Sequence, residues 1–200
     1  DGTLEVEPSL ATSWDISNDG TVYTFTLRDG VTFHDGSAFN ADAVKFNFDR
    51  MLNEDHPFHD TGPFPLSFFF SAVENVEVID DLTVKFTLNA PYAPFLSNLA
   101  YPTGLIVSPE AVKKDGKDFG RQPVGTGAFV LEEYAEGERA VFKRREDYWR
   151  NGEDGQPLPY LDELIYVSTD KDAGVAALQS GPLRNTIGLH VHDHHARIAF

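Results

Sequence analysis

The chain has 200 residues, 41% of them hydrophobic, with no cysteine, a formal net charge of −16 and a sequence pI near 4.6. That much negative charge repels nucleic acid and anionic membrane surface at long range, which argues against both as partners. No apolar run approaches the roughly 20 residues needed to cross a bilayer, and a chain of this size can build a core without disulfide staples, as one domain or two small lobes.

The sequence begins Asp1-Gly2-Thr3, unlike the charged and then apolar start of an export leader. Trp14 leads to an Asn18-Asp19-Gly20 turn, whose glycine supplies positive φ, and residues 21–28 then alternate with Tyr23, Phe25 and Leu27 on one face. This spacing predicts a half-buried hairpin. Turns follow at Asp29-Gly30 and His34-Asp35-Gly36, after which Asn40 is placed to cap a helix carrying Val44, Phe48, Met51 and Leu52. Residues 73–79 and 82–88, joined by Asp80-Asp81, read as a second hairpin with Val84, Phe86 and Leu88 on one side. Pro94 suits the first position of a short helix containing Phe95, Leu96 and Leu99, and Ser108 caps another that begins at Pro109-Glu110. Residues 115–122 read as polar loop, 128–134 and 139–144 as a third hairpin, 151–159 as a connector and 164–168 as a strand. A helix capped by Thr169 or Asp170 and closed by Gly181 completes the regular pattern.

Catalytic signatures do not assemble. The chain has no cysteine nucleophile, no G-x-S-x-G and no H-E-x-x-H, and its carboxylates are scattered through turns and strands. A hydrolase using paired carboxylates, such as a carbohydrate-active enzyme, is the alternative class. Gly125-Thr126-Gly127 lacks the third glycine of a dinucleotide loop, and Asp170-Lys171-Asp172 lacks the remaining ligands of a calcium loop, so turn and cap roles are preferred. His190, His192, His194 and His195 could bind a transition metal adventitiously, whereas His34, held in a turn, is read as a backbone hydrogen-bonding partner.

The block LATSWDISNDGTVYTFTLRDGVTFHDGSAFNADAVKFNFDR, followed in order by Pro91-Tyr92-Ala93-Pro94-Phe95-Leu96, PVGTGAF from Pro123, Asp147-Tyr148-Trp149 and Ala177-Leu178-Gln179-Ser180-Gly181, resembles the family 5 extracellular solute-binding proteins. These are the dipeptide, oligopeptide and nickel binders of ABC importers. The resemblance implies an α/β fold of the type II periplasmic-binding-protein kind. It places most of lobe I in residues 1–181, with a small α/β subdomain inserted at about residues 40–122, lobe II absent, and residues 182–200 a tail without family counterpart.

It further implies a monomeric binder without cofactor or catalytic residue, exported behind a leader and presenting peptides or similar solutes to an ABC permease; a nickel-chelate binder is the alternative within the family. Phe64, Phe68, Phe69, Tyr101 and Thr103 fall in stretches that border the family's cleft, where aromatic walls suit a peptide or amphiphile. For each phenylalanine taken separately, core packing is the preferred role, and Tyr101 and Thr103, with their polar handles, are the better candidates for contact. Gly125, Thr126 and Gly127 fall where the subdomain rejoins lobe I, a hinge or structural position in which close backbone approach and unusual φ would explain the glycines.

Overall fold

The computed structural model describes residues 6–62, 64–168 and the backbone of 196–197, the side chain of Thr103 excepted. Two compact units divide the chain, one comprising residues 1–127 with 195–200 and the other residues 128–194.

In the first unit, β1 (Val6–Glu7) is followed by the hairpin of β2 (Ala11–Ile16) and β3 (Val22–Leu27). Its turn forms as the sequence requires: Gly20 sits at φ 70° and donates to Ser17 O at 2.9 Å, while Asp19 Oδ1 accepts from the Thr21 amide at 3.2 Å and the Ser17 hydroxyl at 2.5 Å. Helix α1 (Ala41–Leu52) starts at Asn40, whose side-chain oxygen accepts from the Ala43 amide at 3.0 Å. The second hairpin, β4 (Val73–Asp80) and β5 (Thr83–Leu88), precedes α2 (Phe95–Leu99) and α3 (Pro109–Asp115). Ser108 caps α3 by accepting from the Ala111 amide at 3.1 Å.

One antiparallel sheet in the order β2-β3-β5-β4 carries both hairpins, with Tyr23 opposite Phe86 and Phe25 opposite Val84. The β3–β5 ladder joins the second hairpin to the first in this sheet, and the compact unit runs to residue 127. The alternation in both hairpins delivers Tyr23, Phe25, Leu27, Val84, Phe86 and Leu88 to one buried face. Against that face lie Phe48 of α1, Phe70 and Phe95, in edge-to-face pairs: Phe48 with Phe86 at 4.9 Å, Phe48 with Phe70 at 5.1 Å and Tyr23 with Phe95 at 4.7 Å between ring centroids.

Two local expectations are corrected here. Pro94 is the cap residue of α2 and not its first helical position. Residues 115–122 are not simply loop: Gly116–Arg121 form 3₁₀ turns, because Phe119 is buried in a small cluster with Ala111 and Val112 of α3 and holds the segment down. Ala196–Arg197 form β9, pairing parallel with β1 through Val6 and Ala196.

The second unit is a three-stranded antiparallel sheet in the order β6-β7-β8, from Phe129–Ala135, Arg139–Arg144 and Glu163–Val167. Val141 is buried, whereas Ile165, Tyr166 and Val167 of β8 are exposed. The helix read after residue 168 lies outside the described residues.

Candidate ligand-binding surface

The 3₁₀ turns Ser67–Phe70 and Pro102–Gly104 stand side by side, tied through α2: Asn98 Nδ2 donates to the Phe69 carbonyl at 2.9 Å. The second turn approaches α2 so closely that a Cβ on Gly104 would lie 2.2 Å from the Leu99 carbonyl oxygen, so only glycine fits. This contact brings Tyr101 to Phe69, with ring centroids 6.0 Å apart and planes at 73°, and Phe69 in turn lies 4.4 Å from Phe68. Phe68 and Tyr101 are 59% and 55% exposed, and neighbouring Leu105 is 59% exposed. An apolar strip of this kind, facing water beside a core already dense with phenylalanine, is what a ligand-contacting wall requires.

Of the residues singled out from sequence, Phe68, Phe69 and Tyr101 therefore come together. Thr103 belongs to the adjoining turn, and its side chain lies outside the described residues. Phe64 does not join the strip; it is half-buried and lines a cavity of about 380 Å³. Its φ of 38° lies in the left-handed region that a bulky side chain rarely adopts. Phe70, in the same phenylalanine run, is fully buried and packs in the core.

The cavity is also lined by two buried polar residues not singled out from sequence. Asn47 is buried, donating through Nδ2 to the Ala43 carbonyl at 2.9 Å and the Val107 carbonyl at 2.8 Å. Arg50 is 7% exposed, with Nη1 donating to Thr61 Oγ1 at 2.8 Å, Nη2 to Asn47 Oδ1 at 3.3 Å, and the guanidinium 5.1 Å from the Phe64 ring centre. Burial lowers its pKa to about 10, which leaves it cationic at neutral pH. Asn47 carried a sequence signal: it lies three residues beyond Val44 and four before Met51, on the stripe α1 turns to the core.

Gly125, Thr126 and Gly127 lie against His34. The His34 amide donates to the Gly125 carbonyl at 2.9 Å, and Nε2 donates to the Gly127 carbonyl at 2.8 Å. Neither glycine has positive φ, and neither would crowd a Cβ, which corrects the expectation of unusual φ or close approach at these two positions. Their carbonyls are what the turn uses. His190, His192, His194 and His195 lie outside the described residues, and among the described residues no group of three or more metal-ligating side chains converges.

The model of the bacterial extracellular solute-binding proteins, family 5, matches residues 5–194. The chain belongs to this family. The match extends past residue 181, where sequence reading ended the resemblance. Di/tripeptide-binding protein 1 of Pseudomonas aeruginosa is 39% identical over 203 aligned positions, covering 93% of this chain and 37% of that protein. Glutathione-binding protein GsiB of Pectobacterium atrosepticum is 40% identical, covering 86% of this family 5 chain and 32% of its relative. Among solved structures, the periplasmic binding protein DppA of Helicobacter pylori, in complex with the peptide STSA, superposes with a TM-score of 0.78 at 35% identity, over 91% of this chain and 38% of its own. NikZ of Campylobacter jejuni, in complex with Ni(L-His), superposes with a TM-score of 0.75 at 30% identity, over 92% and 35%. The α/β fold is thus that of part of a periplasmic binding protein, and the chain spans about a third of the length of the relatives it matches.

Proposed function

We propose that this chain is part of the substrate-binding component of an ABC importer, that its solute is a short peptide or a similar small molecule, and that Phe68, Phe69 and Tyr101 form one wall of the binding cleft. The observation that carries the reading is the exposed, mutually packed aromatic strip held in place by the close approach of Gly104 to α2. Apolar faces supply contact area to peptide side chains of many kinds, while the tyrosine hydroxyl adds a polar handle. The similarity to proteins named for di/tripeptides and glutathione supports the solute class.

Capture follows by closure of two lobes around the solute, outside the cytoplasmic membrane, and the closed monomer is the form a permease recognises. His34 and the Gly125-Thr126-Gly127 segment serve the scaffold and contribute nothing chemical. Catalysis has no part in this reading.

The test is calorimetric titration with di- and tripeptides, of the chain itself and of a version completed with the remaining sequence of the P. aeruginosa relative. A cleft divided between two lobes gives the part roughly half of a binding free energy near −8 kcal/mol, so micromolar affinity in the completed protein falls to about millimolar in the chain alone. Phe69→Ala and Tyr101→Ala in the completed protein each weaken binding by about tenfold or more. Unchanged affinity in both variants would remove the aromatic strip from the cleft.

A further inference from the structure

Arg50 lines the cavity of about 380 Å³. Among the described residues Arg50 has no ion-pair partner, and its Nε is buried with no hydrogen-bond acceptor, although Nη1 and Nη2 are engaged by Thr61 and Asn47. Leaving a charged donor of this kind unpaired away from water is costly, and the expected partner of a guanidinium is a carboxylate, whose planar geometry matches its donors. The surrounding walls are apolar, formed by Phe48 and Met51 of α1 together with Leu66, Ile106 and Phe119. At about 380 Å³ the space lies in the lower part of the range of small-molecule sites, roughly 300–1,000 Å³. A multiply charged anion such as phosphate fits poorly, because a single cation among apolar walls cannot offset its desolvation.

We infer that this cavity is an anion subsite for a carboxylate carried on an apolar body, anchored by Arg50. Two sources share that chemistry: the C-terminal carboxylate of a bound peptide ending in an apolar residue, and a free amphiphilic acid. The subsite itself does not depend on the peptide-binding reading: Ser67, Pro102 and Leu105 of the neighbouring turns line the cavity, but Phe68, Phe69 and Tyr101 do not.

The experiment follows the Arg50 Nε–H resonance by ¹⁵N NMR while the chain is titrated with octanoate and, separately, with octanamide. Octanoate shifts this resonance saturably, and octanamide binds about tenfold more weakly or worse, the share a charge-assisted hydrogen bond supplies. Calorimetry on Arg50→Met, which retains much of the side-chain volume, shows the preference for acid over amide abolished. Leu66→Trp, which narrows the cavity and leaves the arginine intact, weakens octanoate binding in a chain whose circular dichroism is unchanged; it keeps the test valid if Arg50→Met fails to fold. In the second arm the dipeptide Ala-Leu is compared with its C-terminal amide. A penalty for amidation that vanishes in Arg50→Met identifies the peptide terminus as the source, and an octanoate preference without such a penalty identifies a free acid. Equal binding of acid and amide in both arms, or an Nε–H resonance unmoved at millimolar ligand, would overturn the subsite. Loss of peptide binding with octanoate binding intact would instead count against the peptide reading alone.

Discussion

Ser108→Ala should destabilise the chain by more than its single lost oxygen suggests, because the hydroxyl joins two segments far apart in sequence. Ser108 is fully buried; its Oγ donates to Asp35 Oδ2 at 2.5 Å and accepts from the Ala111 amide at 3.1 Å. The second bond caps α3, and losing a cap of this kind costs about 1 kcal/mol. The first is a hydrogen bond to a carboxylate, worth about 1.5–3 kcal/mol, with the lower figure appropriate because water can reach Asp35 once Ser108 is gone. The sum is about 2.5 kcal/mol, and with a urea m-value near 2 kcal/mol/M it moves the unfolding midpoint down by about 1 M.

The pH dependence provides a second check. Partial burial tends to raise the Asp35 pKa, but the hydrogen bonds from Ser108 and Ser37 outweigh it and hold the carboxyl below its ordinary 3.8. A depressed carboxyl contributes stability that is fully present above the unfolded value and is lost as pH falls through the folded one. The difference between the native chain and Ser108→Ala should therefore be full above about pH 5 and narrow as the pH drops below the ordinary carboxyl value. Urea unfolding followed by circular dichroism across this range makes the measurement. A difference under about 1 kcal/mol at neutral pH, or one that stays constant into acid, would refute the argument.

Gly104→Ala forces a methyl to within 2.2 Å of the Leu99 carbonyl oxygen, and a backbone shift there should cost about 2 kcal/mol or more in urea unfolding and separate Tyr101 from Phe69. Phe95→Ala removes a fully buried ring that stands 4.7 Å from Tyr23 and 5.5 Å from Phe86, and a loss of about 3–5 kcal/mol, a large part of the stability of an ordinary domain, is expected from the same assay. With a net charge of −16, the melting temperature should rise between low and molar NaCl as repulsion among surface carboxylates is screened; differential scanning calorimetry showing a flat or falling value would contradict this.

Local chemistry was legible in the sequence where a residue's role is set by its immediate neighbours. Gly20 at positive φ, Asn40 and Ser108 as caps, and the alternation that buries Tyr23, Phe25, Val84 and Phe86 all follow from turn geometry and from the period of two in a strand. The ordered motifs likewise identified the family, because so many spaced matches rarely coincide. Only the tertiary structure decided which hairpins share a sheet, since pairing of β3 with β5 depends on side chains that lie about sixty residues apart, as in the Tyr23 and Phe86 pair. It also decided the fate of the phenylalanine run 68–70: composition treats the three alike, yet a 3₁₀ turn aims Phe70 into the core and leaves Phe68 in water. Arg50 illustrates the same limit most clearly. Nothing in a helix sequence says that an arginine next to the apolar stripe will be enclosed, because the enclosure is built by Thr61, Phe64 and Val107, brought to α1 from segments with no local relation to it.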